Sequence, residues 1–176
     1  MISPSTDESM LTFGFVTTRL YMNYNVFDSF RWEAIGNAPF GYKTTGKVTV
    51  ENKTTGDFDP QTVKMDGVSS ATKTFEAMKD GFVVESYVLP VSDTNKASVE
   101  LKNGTETVVK IDMENGVYSI GGKKVWQYHG DIWQIIRVEK SSDGKAIVRL
   151  CGKDVYEFDY NGAVDSITIT NGGSEL

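Results

Sequence analysis

At 176 residues the chain is long enough for one domain to bury roughly 70% of its unfolded surface. Val, Ile and Thr number 46 against 13 for Ala plus Leu, which favours strands, because branched side chains crowd a helix and fit a pleated surface. A formal charge of −6, no basic cluster beyond Lys123-Lys124 and only short apolar runs leave neither a nucleic-acid footprint nor a bilayer-spanning segment.

Residues 1–10, M-I-S-P-S-T-D-E-S-M, read as a polar tail, and residues 11–176 as one domain. The tail lacks the basic start and apolar stretch of a signal peptide. Leu11 to Asn25 is rich in β-formers and predicts one or two strands, while Asp28 to Tyr42 is irregular. Lys47 to Glu51 alternates Val48 and Val50 with polar residues. Asn52 to Pro60 is a loop by its Asn, Gly, Asp and Pro content. Thr62–Met65 and Ala71–Phe75 are short strands separated by D-G-V-S-S, and Glu76–Asp80 allows a helical turn. Gly81–Leu89 carries apolar residues on both faces, which predicts a strand in mid-sheet.

A hairpin follows. Ala97, Val99 and Leu101 alternate with polar residues, Asn103-Gly104 predicts a type I′ turn, and Thr107, Val109, Ile111 and Met113 alternate on the return. Further strands are expected at Lys124–His129, Asp131–Glu139, Ala146–Gly152, Asp154–Tyr160 and Val164–Thr170. About twelve strands at regular spacing predict an all-β, antiparallel jelly-roll β-sandwich of two curved sheets. The expected core is Val99, Leu101, Val109, Ile111, Ile136, Val138, Val148, Leu150, Ile167 and Ile169.

Trp133, Ile136, Val138, Asp143-Gly144, Val148, Leu150 and Gly152-Lys153 together resemble the concanavalin A-like, laminin G-like jelly rolls. In that pattern a Trp opens a strand W-x-x-I-x-V, and the next strand ends in an Asn/Asp-Gly-Lys turn. Cys151 stands where the pattern usually has Asp or Asn. Phe27-Asp28, Pro39, Gly41-Tyr42, Val48-x-Val50 and the closing Val164–Ile169 are similar to modules attached to bacterial secreted polysaccharide-active proteins. The resemblance implies the fold and a tendency toward glycan binding. Fold by itself does not fix function.

Catalytic constellations are weak. Glucanases of the resembled fold carry E-x-D-x-E on one strand, whereas Lys110-Ile111-Asp112-Met113-Glu114 places lysine where the nucleophile belongs. A polysaccharide lyase would draw on Tyr128, His129, Gln134 and Arg137, but Tyr128 and His129 are adjacent and point to opposite faces of a strand. One cysteine, Cys151, excludes an internal disulfide and reads as a small strand side chain. The chain is therefore expected to be non-enzymatic: a carbohydrate-binding or adhesion module taking a polysaccharide or surface glycan. The alternative is a structural or decoration component of a phage particle or cell-surface assembly, with other structural subunits as partners. Either use implies an extracellular or virion-surface location.

If the chain binds a glycan, Trp126 and Tyr128 share a parity and predict a stacking platform, with Arg137 fixing a hydroxyl or carboxylate. Trp32 and Tyr42 in the irregular segment are further ligand candidates. The ligand is expected on the outer concave face or in the loops at one end. No cofactor is required. Structural calcium, common in the resembled modules, would use loop carboxylates such as Asp28 with Asp165, or Asp57 and Asp59.

Overall fold

A computed structural model describes residues 2–4, 11–13, 41–52 and 61–173. Most of the Leu11–Asn25 stretch, the irregular segment before Gly41 and, apart from Asn52, which ends β3, the loop expected over Asn52–Pro60 lie outside the described residues. The chain divides into two units, Met1–Trp32 and Glu33–Leu176. In the first unit, β1 (Ile2–Pro4) pairs antiparallel with β2 (Leu11–Phe13).

The second unit holds eleven strands among its described residues: β3 (Tyr42–Asn52), β4 (Gln61–Met78), β5 (Phe82–Val88), β6 (Ala97–Asn103), β7 (Glu106–Glu114), β8 (Val117–Ile120), β9 (Lys123–Gln127), β10 (Gln134–Lys140), β11 (Lys145–Leu150), β12 (Lys153–Asp159) and β13 (Val164–Gly172). They form a seven-stranded sheet in the order β3-β4-β13-β6-β7-β8-β9 and a four-stranded sheet in the order β12-β11-β10-β5. Every pairing is antiparallel. This is the all-β jelly-roll sandwich that the alternation implies.

The core is the inner face of each sheet. Val99, Leu101, Val109 and Ile111 of the larger sheet are buried together with Ile136, Val138, Val148 and Leu150 of the smaller. Ile167 and Ile169 are half-buried and pack against the same cluster. Each fully buried side chain of this size contributes roughly 1.5–3 kcal/mol relative to exposure. A second cluster, Val48, Met65 and Ala71, closes the β3–β4 end.

Four local expectations change. The two short strands around D-G-V-S-S are one strand, β4, and no helical turn follows; the strand runs to Met78. Asp66-Gly67 does not turn the chain: β4 bulges there, with Gly67, Val68 and Ser69 lying opposite the single residue Gly46 of β3. A Cβ at Gly46, opposite that bulge, would run into the Val68 carbonyl, so glycine lets the two strands stay paired. The strand read as mid-sheet, β5, is the last described strand of its sheet, and its outer residues Val83 and Tyr87 are exposed.

The β6–β7 turn is also shifted by one residue. Asn103 pairs with Glu106, so the central residues are Gly104 and Thr105, with φ +59° at Gly104. Glycine at the first central position fits the II′ class. A bulge between Leu101 and Lys102 absorbs the difference, and Thr107 leaves the buried series while Val109, Ile111 and Met113 stay in it. Finally, β11 ends at Leu150, so Cys151 is not a strand residue. It sits exposed in a turn with φ +49°, ahead of Gly152 at +83°.

Candidate functional site

Alternation along the seven-stranded sheet buries one parity and turns the other outward. Antiparallel partners share a face, so the outward residues align in rows across the strands. One row reads Thr45, Ser70, Thr170, Ser98, Asp112, Ser119 and Lys124, one residue from each strand. The next reads Lys43, Thr72, Thr168, Glu100 and Lys110. The signal was present in the sequence as Ser166-x-Thr168-x-Thr170 and Ser70-x-Thr72-x-Thr74. It carries no catalytic or aromatic marker, so nothing singled it out there.

Within these rows lies a hollow of about 380 Å³, placed where β6 begins and β7 and β13 end. Its polar lining is Lys96, Ser98, Lys110, Asp112, Glu114, Ser119 and Thr170. Lys110 Nζ lies 2.8 Å from Asp112 Oδ1, and Lys96 Nζ 3.5 Å from Glu114 Oε1. Beside it, Glu100 accepts hydrogen bonds from Thr107 Oγ1 and Lys102 Nζ. Burial alone would raise the Glu100 carboxyl; those two bonds and the Lys102 charge outweigh it and hold the group below the ordinary carboxylate range. Elsewhere on the face the hydroxyls bond one another: Thr45 to Ser70 at 2.7 Å and Thr72 to Thr168 at 2.9 Å. The site can offer donors and acceptors to a polyol. It holds Lys110, Asp112 and Glu114 on one face, as the spacing implied, with lysine paired to the central carboxylate.

The four-stranded sheet presents a different outer face. Arg137 donates to Glu139 at 3.0 Å and reaches Glu85 at 3.4 Å, and Arg149 bridges Glu139 and Asp154. Lys145 pairs with Asp159 at 2.7 Å and Glu157 at 3.7 Å. Its charges are spent on each other.

The residues expected to form a platform are not brought together. Trp126 lies on β9 and is 37% exposed, with Lys153 Nζ 3.7 Å from its ring centroid. Tyr128 is 2% exposed and belongs to the core. Trp126 pairs with the buried Tyr118 and the Tyr128 amide donates to the Gly116 carbonyl at 2.9 Å, so the two aromatics share a face as their parity implies, but it is the inner face of the sandwich. The Tyr128 ring meets Tyr118 edge-on at 5.2 Å, and its hydroxyl donates to the Asn95 carbonyl at 2.8 Å. Burial pushes its phenol upward. Arg137 stands on the other sheet, in the ion-pair ladder.

Tyr42 opens β3, half-buried against the smaller core cluster with Lys73 Nζ 5.0 Å from its ring. Trp32, Asp28, Asp57 and Asp59 lie outside the described residues. Asp165 accepts hydrogen bonds from the Gly104 amide at 2.8 Å and from Ser166 Oγ at 3.0 Å. Among the described residues, no group of three or more His, Cys, Asp or Glu side chains is placed to hold a metal ion.

The lyase constellation is likewise dispersed. Gln134 is buried, accepts from Tyr118 at 3.1 Å, and donates to the carbonyls of Ile132 and His129 at 2.9 and 3.2 Å. His129 is exposed beside Asp93. Neither faces the Arg137 side of the molecule's smaller sheet.

No protein-family profile matches the chain, and no curated protein matches it in sequence. Solved structures match in fold. The globular domain of T. cruzi calreticulin superposes with a TM-score of 0.54 at 10% identity, over 78% of this chain and 81% of that one. A cellulose-induced protein gives 0.51 at 10% identity, over 81% and 89%. A sialidase gives 0.53 at 11% identity over 77% of this chain, which spans only 13% of the sialidase. The chain has the concanavalin A-like jelly-roll fold. At these identities the likeness is one of fold alone.

Proposed function

We propose that this domain is a non-catalytic carbohydrate-binding module, and that its glycan lies in the hollow on the outer face of the seven-stranded sheet. The observation that carries this reading is the lining itself: hydroxyls of Ser98, Ser119 and Thr170 beside two lysine–carboxylate pairs, in about 380 Å³. A ligand rich in hydroxyls satisfies such a surface without leaving a charge unpaired, the condition on which polar recognition depends. A sialidase and a cellulose-induced protein, which share the fold, have names drawn from carbohydrate chemistry. The non-catalytic part rests on chemistry: Lys110 occupies the nucleophile position of the resembled glucanase pattern, and Tyr128, a candidate proton donor, is buried with its hydroxyl committed to backbone carbonyls.

The test is affinity electrophoresis of the whole chain through gels containing soluble polysaccharides, with Ser119→Phe as the blocking variant. Ser119 is a half-buried strand residue on the lining, so a phenyl ring fills the hollow without entering the core. Retardation of the parent and free migration of the variant, at an unchanged melting temperature, support the site. Release of new reducing ends or unsaturated uronate by the parent chain would overturn the non-enzymatic reading.

A further inference from the structure

We infer that the hollow selects an extended, uncharged polysaccharide over uronate-bearing or sulfated ones, and that Asp112 enforces this choice by neutralising Lys110. The inference rests on the hollow being the glycan site. Four charged side chains line it, Lys96 and Lys110 against Asp112 and Glu114, and each lysine is paired with one of the two carboxylates. An anionic sugar entering there would have to displace a carboxylate from its lysine or face both carboxylates. A neutral one leaves both pairs intact and uses the hydroxyls. Like charge against a partly desolvated ligand is the usual means of excluding the wrong partner. The cations of this face that have no ion pair among the described residues, Lys43 and Lys124, stand at the ends of its rows and do not line the hollow.

The second half of the inference is geometric. The row through Ser70, Thr170, Ser98, Asp112 and Ser119 crosses adjacent strands spaced about 4.8 Å apart. That step is comparable with the length of one pyranose in an extended β-linked chain. A polymer lying along the row therefore meets a fresh polar side chain at each residue. A single sugar meets only one or two.

The parent chain, Asp112→Asn and Lys110→Met are compared for retention by a neutral β-glucan, a galactomannan and alginate, and for affinity toward neutral oligosaccharides of rising length. The parent is expected to bind a neutral polymer and to ignore alginate, with affinity rising at least tenfold from one sugar to five. Asp112→Asn removes the carboxylate bonded to Lys110 in the hollow, leaving only the field of its cross-strand neighbour Glu100, and raises the alginate-to-neutral ratio at least tenfold; Lys110→Met does not. Stronger retention by alginate than by any neutral polymer in the parent, abolished by Ser119→Phe, overturns the inference while leaving the hollow as a glycan site. A flat dependence on chain length, or an unmoved ratio in a folded Asp112→Asn, also overturns it. Retention by no polymer at all removes the reading on which it rests.

Discussion

The two outer faces of the sandwich obey the same alternation and are put to opposite uses. On the four-stranded sheet, Glu85, Arg137, Glu139, Arg149 and Asp154 form a ladder that crosses all four strands and satisfies its own charges. On the seven-stranded sheet, Ser and Thr fill the same kind of position, and their small size leaves a hollow where β6, β7, β8 and β13 meet. Side-chain volume separates the two. Arginine and glutamate reach across a strand spacing to one another, while Ser98, Ser119 and Thr170 stop short and leave hydrogen-bonding capacity for something else. Both faces pair their charges; the one whose long side chains span the strand spacing fills its own surface, while the one lined by short hydroxyls keeps room and hydrogen-bonding capacity for a ligand.

The sharpest way to break this comparison is to show that the aromatic pair, and neither face, holds the ligand. Trp126 and Tyr128 should separate by stability. Tyr128→Ala is expected to cost about 3–5 kcal/mol, as for a buried ring removed from a packed core. Trp126→Ala, at the sandwich edge beneath Lys153, should cost about 1 kcal/mol or less. Urea denaturation of both variants measures the gap. Equal costs would mean that Trp126 is as much a part of the core as Tyr128.

That pair also marks where sequence stops being informative. The alternating strands, the hydrophobic core and the sandwich were legible because period-2 burial writes itself directly into residue type. Eight of the ten expected core residues are buried, and the two exceptions, Ile167 and Ile169, still pack on the cluster. Parity fails wherever a strand ends or bulges, and those events depend on pairing partners far along the chain. Thr107 lies beyond a bulge, and for Trp126 and Tyr128, which do keep one parity, only the pairing of Trp126 with the buried Tyr118 reveals that their shared face is the inner one. Lys110, Asp112 and Glu114 were legible as one face. Their convergence with Lys96, Ser98, Ser119 and Thr170 was not, because it requires knowing that β13 is inserted between β4 and β6.

The ladder face offers a second test. Arg149→Met removes the bridge between Glu139 and Asp154, so the melting temperature should fall, and the fall should shrink in about 1 M salt, where charges are screened beyond about 3 Å. Thr170→Val on the opposite face should show no such salt dependence.

The pH dependence of stability should be traceable in part to Glu100, on the hydroxyl-rich face. Its carboxyl is held below its ordinary range in the folded chain, so the unfolded chain binds the proton more readily. The stabilisation is therefore complete above the ordinary glutamate range and is lost as pH falls through the lower, folded value. Glu100→Gln should flatten the acid limb of a melting-temperature profile and leave the neutral plateau nearly parallel to the parent's. An unchanged acid limb would show that Glu100 gains nothing from Thr107 and Lys102.

The smallest expected effect concerns the turn that ends β11 on the ladder side. Cys151 is held at φ +49°, a conformation in which a side chain other than Gly, Asn or Asp is costly, and the resembled jelly rolls usually place Asp or Asn there. Its thiol gives little back, a 3.6 Å contact to Gln134 Oε1, while its amide still bonds the Ile135 carbonyl at 2.8 Å whatever the side chain. Cys151→Asn keeps that backbone bond and tolerates the left-handed region, so a gain of about 0.5 kcal/mol is expected, with Cys151→Ala neutral or slightly worse. Thermal melts under reducing conditions compare the three. A loss on Cys151→Asn would mean that the weak bond to Gln134, which also accepts from the buried Tyr118 hydroxyl, contributes more to the β10–β11 end of the sheet than the backbone strain removes.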